Sequence, residues 1–313
     1  MRLVAIDGGG TKTDLVLLDE TGRVLKRIIT EGCNPNDFGW AHTQETLKGG
    51  LNRLLEEMGG YDASPDAVFA GISGGTTGHN KETLEKMLRN LLPNARHLAN
   101  DSDAVNALSS GIRRADGCVV ILGTGSVGFV RRAGSVIRVS GWGYLFDRGG
   151  SGYDLGRDAV YHALCALDGR GAATTLTHLL EEQLGMRIDM AVTRLYEEGK
   201  PTIAALAPLV FEAERAGDKV AMQILDGNGM ELAKLLNTLS QKTKVDCCPT
   251  VLTGSVFKAW HQLSPYVLPR LTRQHLFVFP TLPPVYGSAV EAMALMQLEA
   301  DDEFEQTFAQ TLN

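Results

Sequence analysis

Short apolar runs alternate with clusters of glycine and hydroxyl residues along the first third of the chain. Leu3-Val4-Ala5-Ile6 leads into Asp7-Gly8-Gly9-Gly10, then comes Leu15-Val16-Leu17-Leu18, and Asp19-Glu20-Thr21-Gly22 turns into a run over 24–29. This pattern predicts a meander of three strands. A polar loop over 30–37 precedes apolar residues at helical spacing over 40–58. A strand over 67–72 ends in Ser73-Gly74-Gly75. A helix over 81–92, a short strand near Arg96-His97-Leu98, and a helix from Asn100-Asp101-Ser102-Asp103 to Ser110 complete the region.

From Cys118 the order repeats. A strand over 118–122, the turn Gly123-Thr124-Gly125-Ser126, a strand over 127–131, the turn Ala133-Gly134-Ser135 and a strand over 136–139 reproduce the opening meander. We read this as a duplicated α/β lobe. The second copy carries a largely helical insertion over 154–244. It resumes with a strand over 250–252, a turn at Gly254, a strand over 276–279 and a helix over 287–298. The expected lobes are 1–112 and 113–286, with 287–313 packing back on the first; the acidic tail over 299–313 reads as a frayed end.

The length of 313 residues fits two lobes. No apolar run reaches the ~20 residues of a membrane-spanning helix. The first apolar run is too short for a signal peptide, so a cytoplasmic setting is expected. A net charge of -7 argues against a nucleic-acid-binding face. The five cysteines have no metal-ligand spacing and read as reduced, mostly buried thiols. The 35 glycines sit in discrete clusters, as tight turns and close backbone–ligand approaches require.

Three phosphate-binding templates compete for these turns. Gly8-Gly9-Gly10-Thr11-Lys12-Thr13 has threonine where a P-loop needs glycine before its lysine, and it continues as a strand rather than a helix. Gly123-Thr124-Gly125-Ser126-Val127-Gly128 spells G-x-G-x-x-G but lacks the following helix and acidic residue of a dinucleotide site. The third template is two hairpin turns, one per lobe, directing backbone N–H groups into a shared cleft. Gly9, Gly10, Thr11, Lys12 and Thr13 would then bind phosphate in the first lobe, with Gly123, Thr124 and Gly125 in the second. Asp7 would hold Mg²⁺. Phosphoryl transfer to a hydroxyl also needs a carboxylate base. Asp101, after a strand of the first lobe, is the candidate and Asp103 the alternative; the same segment also reads as a helix N-cap.

Asp7-Gly8-Gly9-Gly10-Thr11-Lys12-Thr13-Asp14 resembles the first phosphate motif of the sugar kinase/actin superfamily. The nearest likeness is to the N-acetylglucosamine kinase group, which shares a family with BadF/BadG/BcrA/BcrD-type ATPases. The resemblance runs through Gly71-Ile72-Ser73-Gly74-Gly75, the second phosphate turn, Gly141-Trp142-Gly143 with Gly150-Ser151-Gly152, Thr253-Gly254-Ser255-Val256 and Tyr286-Gly287-Ser288-Ala289. It implies a ribonuclease H-like, actin-like ATPase fold with an interlobe active-site cleft. The first lobe would serve the sugar and the second the nucleotide. It also implies ATP and Mg²⁺ as cofactors, a small sugar as partner and a homodimer. Asp101 matches the family's catalytic aspartate, Gly254 and Ser255 its adenosine-binding turn, and Asn34, Gly74, Thr124, Gly143 and Asp147 its sugar side.

Two departures bear on the acceptor. The kinases' Gly-Asp-Glu-Gly-Ser is here Asp147-Arg148-Gly149-Gly150-Ser151, and Val127 replaces an asparagine that contacts the N-acetylated sugar. Arg148 could pair with an acidic acceptor such as N-acetylmuramic acid. Trp142 could stack on a sugar, although core filling is the preferred reading. The expected function is an ATP-dependent amino-sugar kinase acting on N-acetylglucosamine or a related N-acetylhexosamine. Alternatives are a kinase for glucosamine or N-acetylmuramic acid, and an ATPase activating a partner dehydratase or reductase. The last lacks a recognisable cluster-binding cysteine pair.

Overall fold

In the computed structural model, which describes residues 1–312, the opening apolar runs become β1 (Leu3–Gly8), β2 (Lys12–Leu18) and β3 (Val24–Glu31). They pair as an antiparallel meander. β4 (Ala67–Ile72) and β5 (His97–Asp101) add in parallel, giving the sheet order β3-β2-β1-β4-β5. β4 is buried along its whole length, which is why it reads as a continuous apolar run rather than an alternating one. α1 (Pro35–Leu54) and α2 (Asn80–Leu91) cover one face, packing Leu47, Leu51, Leu84 and Leu88 on Val4, Ile6, Leu15 and Val68. α3 (Asp103–Ile112) packs against a C-terminal helix that starts at Pro284.

The second sheet repeats this plan. β6 (Gly117–Leu122), β7 (Ser126–Arg132) and β8 (Ser135–Val139) form an antiparallel meander, and β9 (Cys247–Thr253) and β10 (Gln274–Val278) add in parallel. The order is β10-β9-β6-β7-β8. Between β8 and β9 lie α4 (Gly152–Asp168), α5 (Leu176–Leu184), α6 (Ile188–Glu198), α7 (Lys200–Ala205), α8 (Ala207–Arg215) and α9 (Lys219–Thr243). Their apolar stripes share a core with β6 and β9. α10 (Trp260–Val267) precedes β10, and the chain ends with α11 (Pro284–Leu295) and α12 (Asp302–Thr311). The chain divides into two units, Met1–Ala115 with the chain from Phe279, and Asp116–Val278. The sequence reading placed the divisions after 112 and 286. No helix among the described residues is long and apolar enough to cross a membrane.

Four local expectations are corrected. The acidic tail is not frayed: α12 is capped by Asp301, and Phe308 packs its ring 5.2 Å from that of buried Tyr286. Residues Asn100 and Asp101 belong to β5 rather than following it, while the expected N-cap of α3 is present, with Ser102 as the residue that accepts its bond. α1 begins at Pro35, with its first turn set off by Gly39 at φ 80°. Trp142 is not core: it is 68% exposed, with the Arg138 guanidinium over its ring.

Candidate functional site

The β1–β2 turn is built by hydrogen bonds on both sides. Gly9 N–H donates to the Lys12 carbonyl (2.9 Å), and the Gly9 carbonyl accepts from Cys33 N–H (3.0 Å). Gly10 lies against Asp37, and Thr11 and Lys12 are exposed. Thr13 points inward: it is buried and its hydroxyl donates to the Glu31 carbonyl (2.8 Å), so any ligand contact it makes runs through its backbone. Asp7, one residue before the turn, receives a bond from Asn106 Nδ2 (2.7 Å). Burial pushes its carboxyl up to about 7, the Asn106 bond opposes this, and Asp103 adds repulsion. Burial also raises Asp103. A hard, desolvated carboxylate just before a glycine turn fits Mg²⁺, which takes few protein oxygens and would favour the ionised form. No group of three or more His, Cys, Asp or Glu among the described residues is placed to hold a metal ion.

A second cluster in the same unit gathers residues from three elements. Asn34 caps α1, accepting from Asn36 N–H (3.0 Å) and donating to Asp37 (2.6 Å). Asn80, the first residue of α2, donates to the Gly74 carbonyl (2.8 Å) and to Asn36 Oδ1 (3.2 Å). Gly74 has φ 72°, and a Cβ there would come within 2.3 Å of Asn34 Oδ1, so the asparagine side chains close over glycine backbone. Asp101 ends β5 at the carboxyl edge of the parallel strands, where open α/β sheets place ligands. Its Oδ1 accepts from Ser102 N–H (2.8 Å) and its Oδ2 from Lys81 Nζ (2.5 Å). A cluster of amides joined through Lys81 to a carboxylate can both donate to and accept from adjacent hydroxyls. Asn36, Asn80 and Lys81 were not singled out in the sequence, where they read only as polar residues opening helices.

In the other unit the β6–β7 turn closes with Gly123 N–H donating to the Gly125 carbonyl (3.0 Å). The start of α4 braces it: Gly152 N–H donates to the Gly123 carbonyl (2.8 Å) and Tyr153 N–H to the Thr124 carbonyl (3.2 Å). Gly254 has φ 111°, and a Cβ would lie 2.3 Å from the Leu122 carbonyl oxygen, so only glycine fits this turn. Gly123, Thr124 and Ser255 line one cavity of about 580 Å³, together with Phe211, Lys258 and His261. That volume suits a small-molecule ligand. Lys200 Nζ stands 3.3 Å from where a Gly125 Cβ would be, a cation at the turn with no sequence motif to announce it.

The loop after β8 is fastened by Asp147. Its Oδ2 accepts from Ser140 Oγ (2.6 Å) and from the N–H groups of Gly141 (2.6 Å) and Trp142 (3.0 Å). Burial and these bonds act oppositely, and the net effect holds the Asp147 carboxyl below its ordinary value. Gly143 is exposed with φ 97°, and Val127 packs under Gly141. Arg148 faces Asp158 at 3.7 Å. Ser151 and Asp154 form a capping box that starts α4.

Known proteins share this chain's architecture. It is 31% identical over 268 residues to the N-acetyl-D-glucosamine kinase of Dictyostelium discoideum, covering 80% of this chain and 84% of that one. It is 32% identical over 238 residues to the N-acetylmuramic acid/N-acetylglucosamine kinase of Clostridium acetobutylicum, covering 74% and 76%. The solved structure of a candidate N-acetylglucosamine kinase from Chromobacterium violaceum matches with a TM-score of 0.73 and 26% identity, over 95% of this chain and 99% of that one. A ROK family glucokinase from Streptomyces griseus shares the fold alone, with a TM-score of 0.60 at 16% identity, over 95% and 100%. The fold is the duplicated, ribonuclease H-like architecture of the actin-like ATPases. Residues 4–292 match the BadF/BadG/BcrA/BcrD ATPase family, and the chain belongs to it.

Proposed function

We propose that this chain is an ATP-dependent amino-sugar kinase, with N-acetylglucosamine or a related N-acetylhexosamine as acceptor. The observation that carries the reading is Asp101, a bonded carboxylate at the carboxyl end of β5, joined through Lys81 to a cluster of Asn34, Asn36 and Asn80 about Gly74. The named activities of the relatives support it. Asp101 would take the proton of the acceptor hydroxyl as that oxygen attacks the γ-phosphorus, with ADP leaving. The asparagine amides would orient the sugar hydroxyls, and Thr124, Gly143 and Asp147 carry a sugar-contacting role in the same proposal. Gly9, Gly10, Thr11, Lys12, Gly123, Gly125 and Lys200 would meet phosphate. The cavity at Ser255 would take the nucleoside, with Gly254 shaping its turn. Asp7 would hold Mg²⁺, which neutralises phosphate charge during transfer.

A cytoplasmic homodimer belongs to the same proposal. Arg148 is less suited to an acidic acceptor than the sequence suggested, because Asp158 already faces it. ADP release should be screened over N-acetylglucosamine, glucosamine, N-acetylmuramic acid and neutral hexoses. An Asp101→Asn variant should lose about 10²–10⁴-fold in kcat while still binding Mg-ATP by calorimetry. Full activity in that variant, or ADP release indifferent to every amino sugar, would sink the reading.

A further inference from the structure

The carboxylate at the end of β5 has a partner that the sequence pattern hides. Lys81 lies in the first turn of α2 and is clasped at two points by adjacent residues of β5. Its carbonyl accepts from Asn100 Nδ2 (3.1 Å), and its ammonium donates to Asp101 Oδ2 (2.5 Å). Asn100 is only 4% exposed, so the backbone end of this clasp is built into the sheet edge. An exposed ion pair on two free side chains is held loosely and contributes little. Here one partner's backbone is fixed by a buried amide. The other partner's second oxygen is fixed by Ser102 N–H.

Resting on the kinase reading, we propose that Lys81 is the positioning residue for Asp101. Its ammonium holds Oδ2 in one orientation, at 2.5 Å, while Ser102 N–H holds Oδ1. A carboxylate oxygen has two lone-pair sites. Lys81 takes one and leaves the other for the acceptor hydroxyl, so the clasp orients the base without blocking it. Ser102 N–H alone leaves the carboxylate free to rotate about that single bond. Removing the ammonium should therefore cost turnover more than acceptor binding, because a misaligned base lengthens proton transfer while the asparagines still hold the sugar.

The test compares Lys81→Met, Lys81→Gln and Lys81→Arg with Asp101→Asn and with the double variant Lys81→Met/Asp101→Asn. Steady-state kinetics are measured on the best acceptor, with melting temperature as a fold control. Lys81→Met and Lys81→Gln should lower kcat about 10–100-fold and change the acceptor KM less than about threefold, a fraction of the whole general-base effect. Lys81→Arg should recover to within about fivefold of the parent, because it restores a donor and a charge. In the Asp101→Asn background, Lys81→Met should have no further effect. The proposal is overturned if both neutral variants keep kcat within twofold while Asp101→Asn is inactive. A loss residing wholly in KM, or one that persists undiminished without Asp101, overturns it too. An active Asp101→Asn enzyme would instead refute the base assignment, a separate outcome.

Discussion

The two sheets are one plan carrying different chemistry. Each has an antiparallel meander on one side and two parallel strands on the other. Each first hairpin turns through three residues, Gly9-Gly10-Thr11 after β1 and Gly123-Thr124-Gly125 after β6. Register identifies the matching positions. Gly8 pairs with Thr13 and Asp7 with Asp14, while Leu122 pairs with Ser126 and Ile121 with Val127. Where one copy has two aspartates, the other has isoleucine and valine. Asp14 is neutralised by Arg27 through two hydrogen bonds (2.9 and 2.7 Å), which leaves Asp7 as the carboxylate without a cationic hydrogen-bond partner among those found at this turn. Duplication thus supplied two similar hairpin turns, and only the one after β1 carries a carboxylate at this position of its leading strand. Function follows side chains placed on the fold rather than the fold itself.

The sharpest way to break this comparison is to write one copy's residue into the other. Asp7→Ile should lower kcat about 10³-fold, on the order of 4 kcal/mol of transition-state stabilisation, measured at saturating Mg-ATP. Ile121→Ala is the control. It should lower the melting temperature through lost packing and leave kcat per folded molecule within about twofold. Equal catalytic losses in the two variants would mean that the turns are chemically equivalent after all.

A smaller effect separates two glycines of the second unit. Gly254→Ala puts a side chain at φ 111° and against the Leu122 carbonyl, whereas a Cβ at Gly123 meets nothing within 4 Å. Urea unfolding should show a loss of about 2–4 kcal/mol for Gly254→Ala and under about 1 kcal/mol for Gly123→Ala. If Gly123→Ala nonetheless weakens ATP binding, its role is close approach to ligand rather than backbone geometry. Similar stability losses in both would remove the distinction.

These contrasts explain what could be read from the chain alone. Strands such as β4 were legible because burial on both faces demands an unbroken apolar run. Turns such as Gly74 and Gly254 were legible because left-handed backbone and crowding leave few alternatives to glycine. Asp101 stood out as a carboxylate after a strand. Lys81 did not, because its meaning comes from β5, twenty residues on in the chain, and its neighbours suggest only a solvated helix start. Asn106 was hidden in an apolar helix, where one amide gives no pattern, yet it bonds Asp7 and the carbonyl of Gly71 (3.0 Å). The acidic tail misled because two phenylalanines four residues apart, Phe304 and Phe308, are enough to dock a helix that is otherwise charged. Trp142 misled for the opposite reason: its size suggested core, but a loop pinned at its base by Asp147 holds it in solvent.

The mildest expected effect reads the environment of Asp7 directly, without activity. Its carboxyl is raised from 3.8 to about 7 in the folded protein, chiefly by burial. The folded state therefore binds a proton that the unfolded chain has released across the interval between those values. The contribution to stability is complete below the unfolded value and is lost as pH rises through the folded one. Between pH 5.5 and 8, without divalent cation, the protein should lose up to about 2 kcal/mol of unfolding free energy relative to Asp7→Asn, which cannot titrate. Saturating Mg-ATP should flatten the difference, because a cation at the carboxylate favours its ionised form. Parallel pH profiles for the two proteins would mean that water reaches Asp7 freely. The asymmetry between the two turns would then be one of sequence without a difference in electrostatic environment.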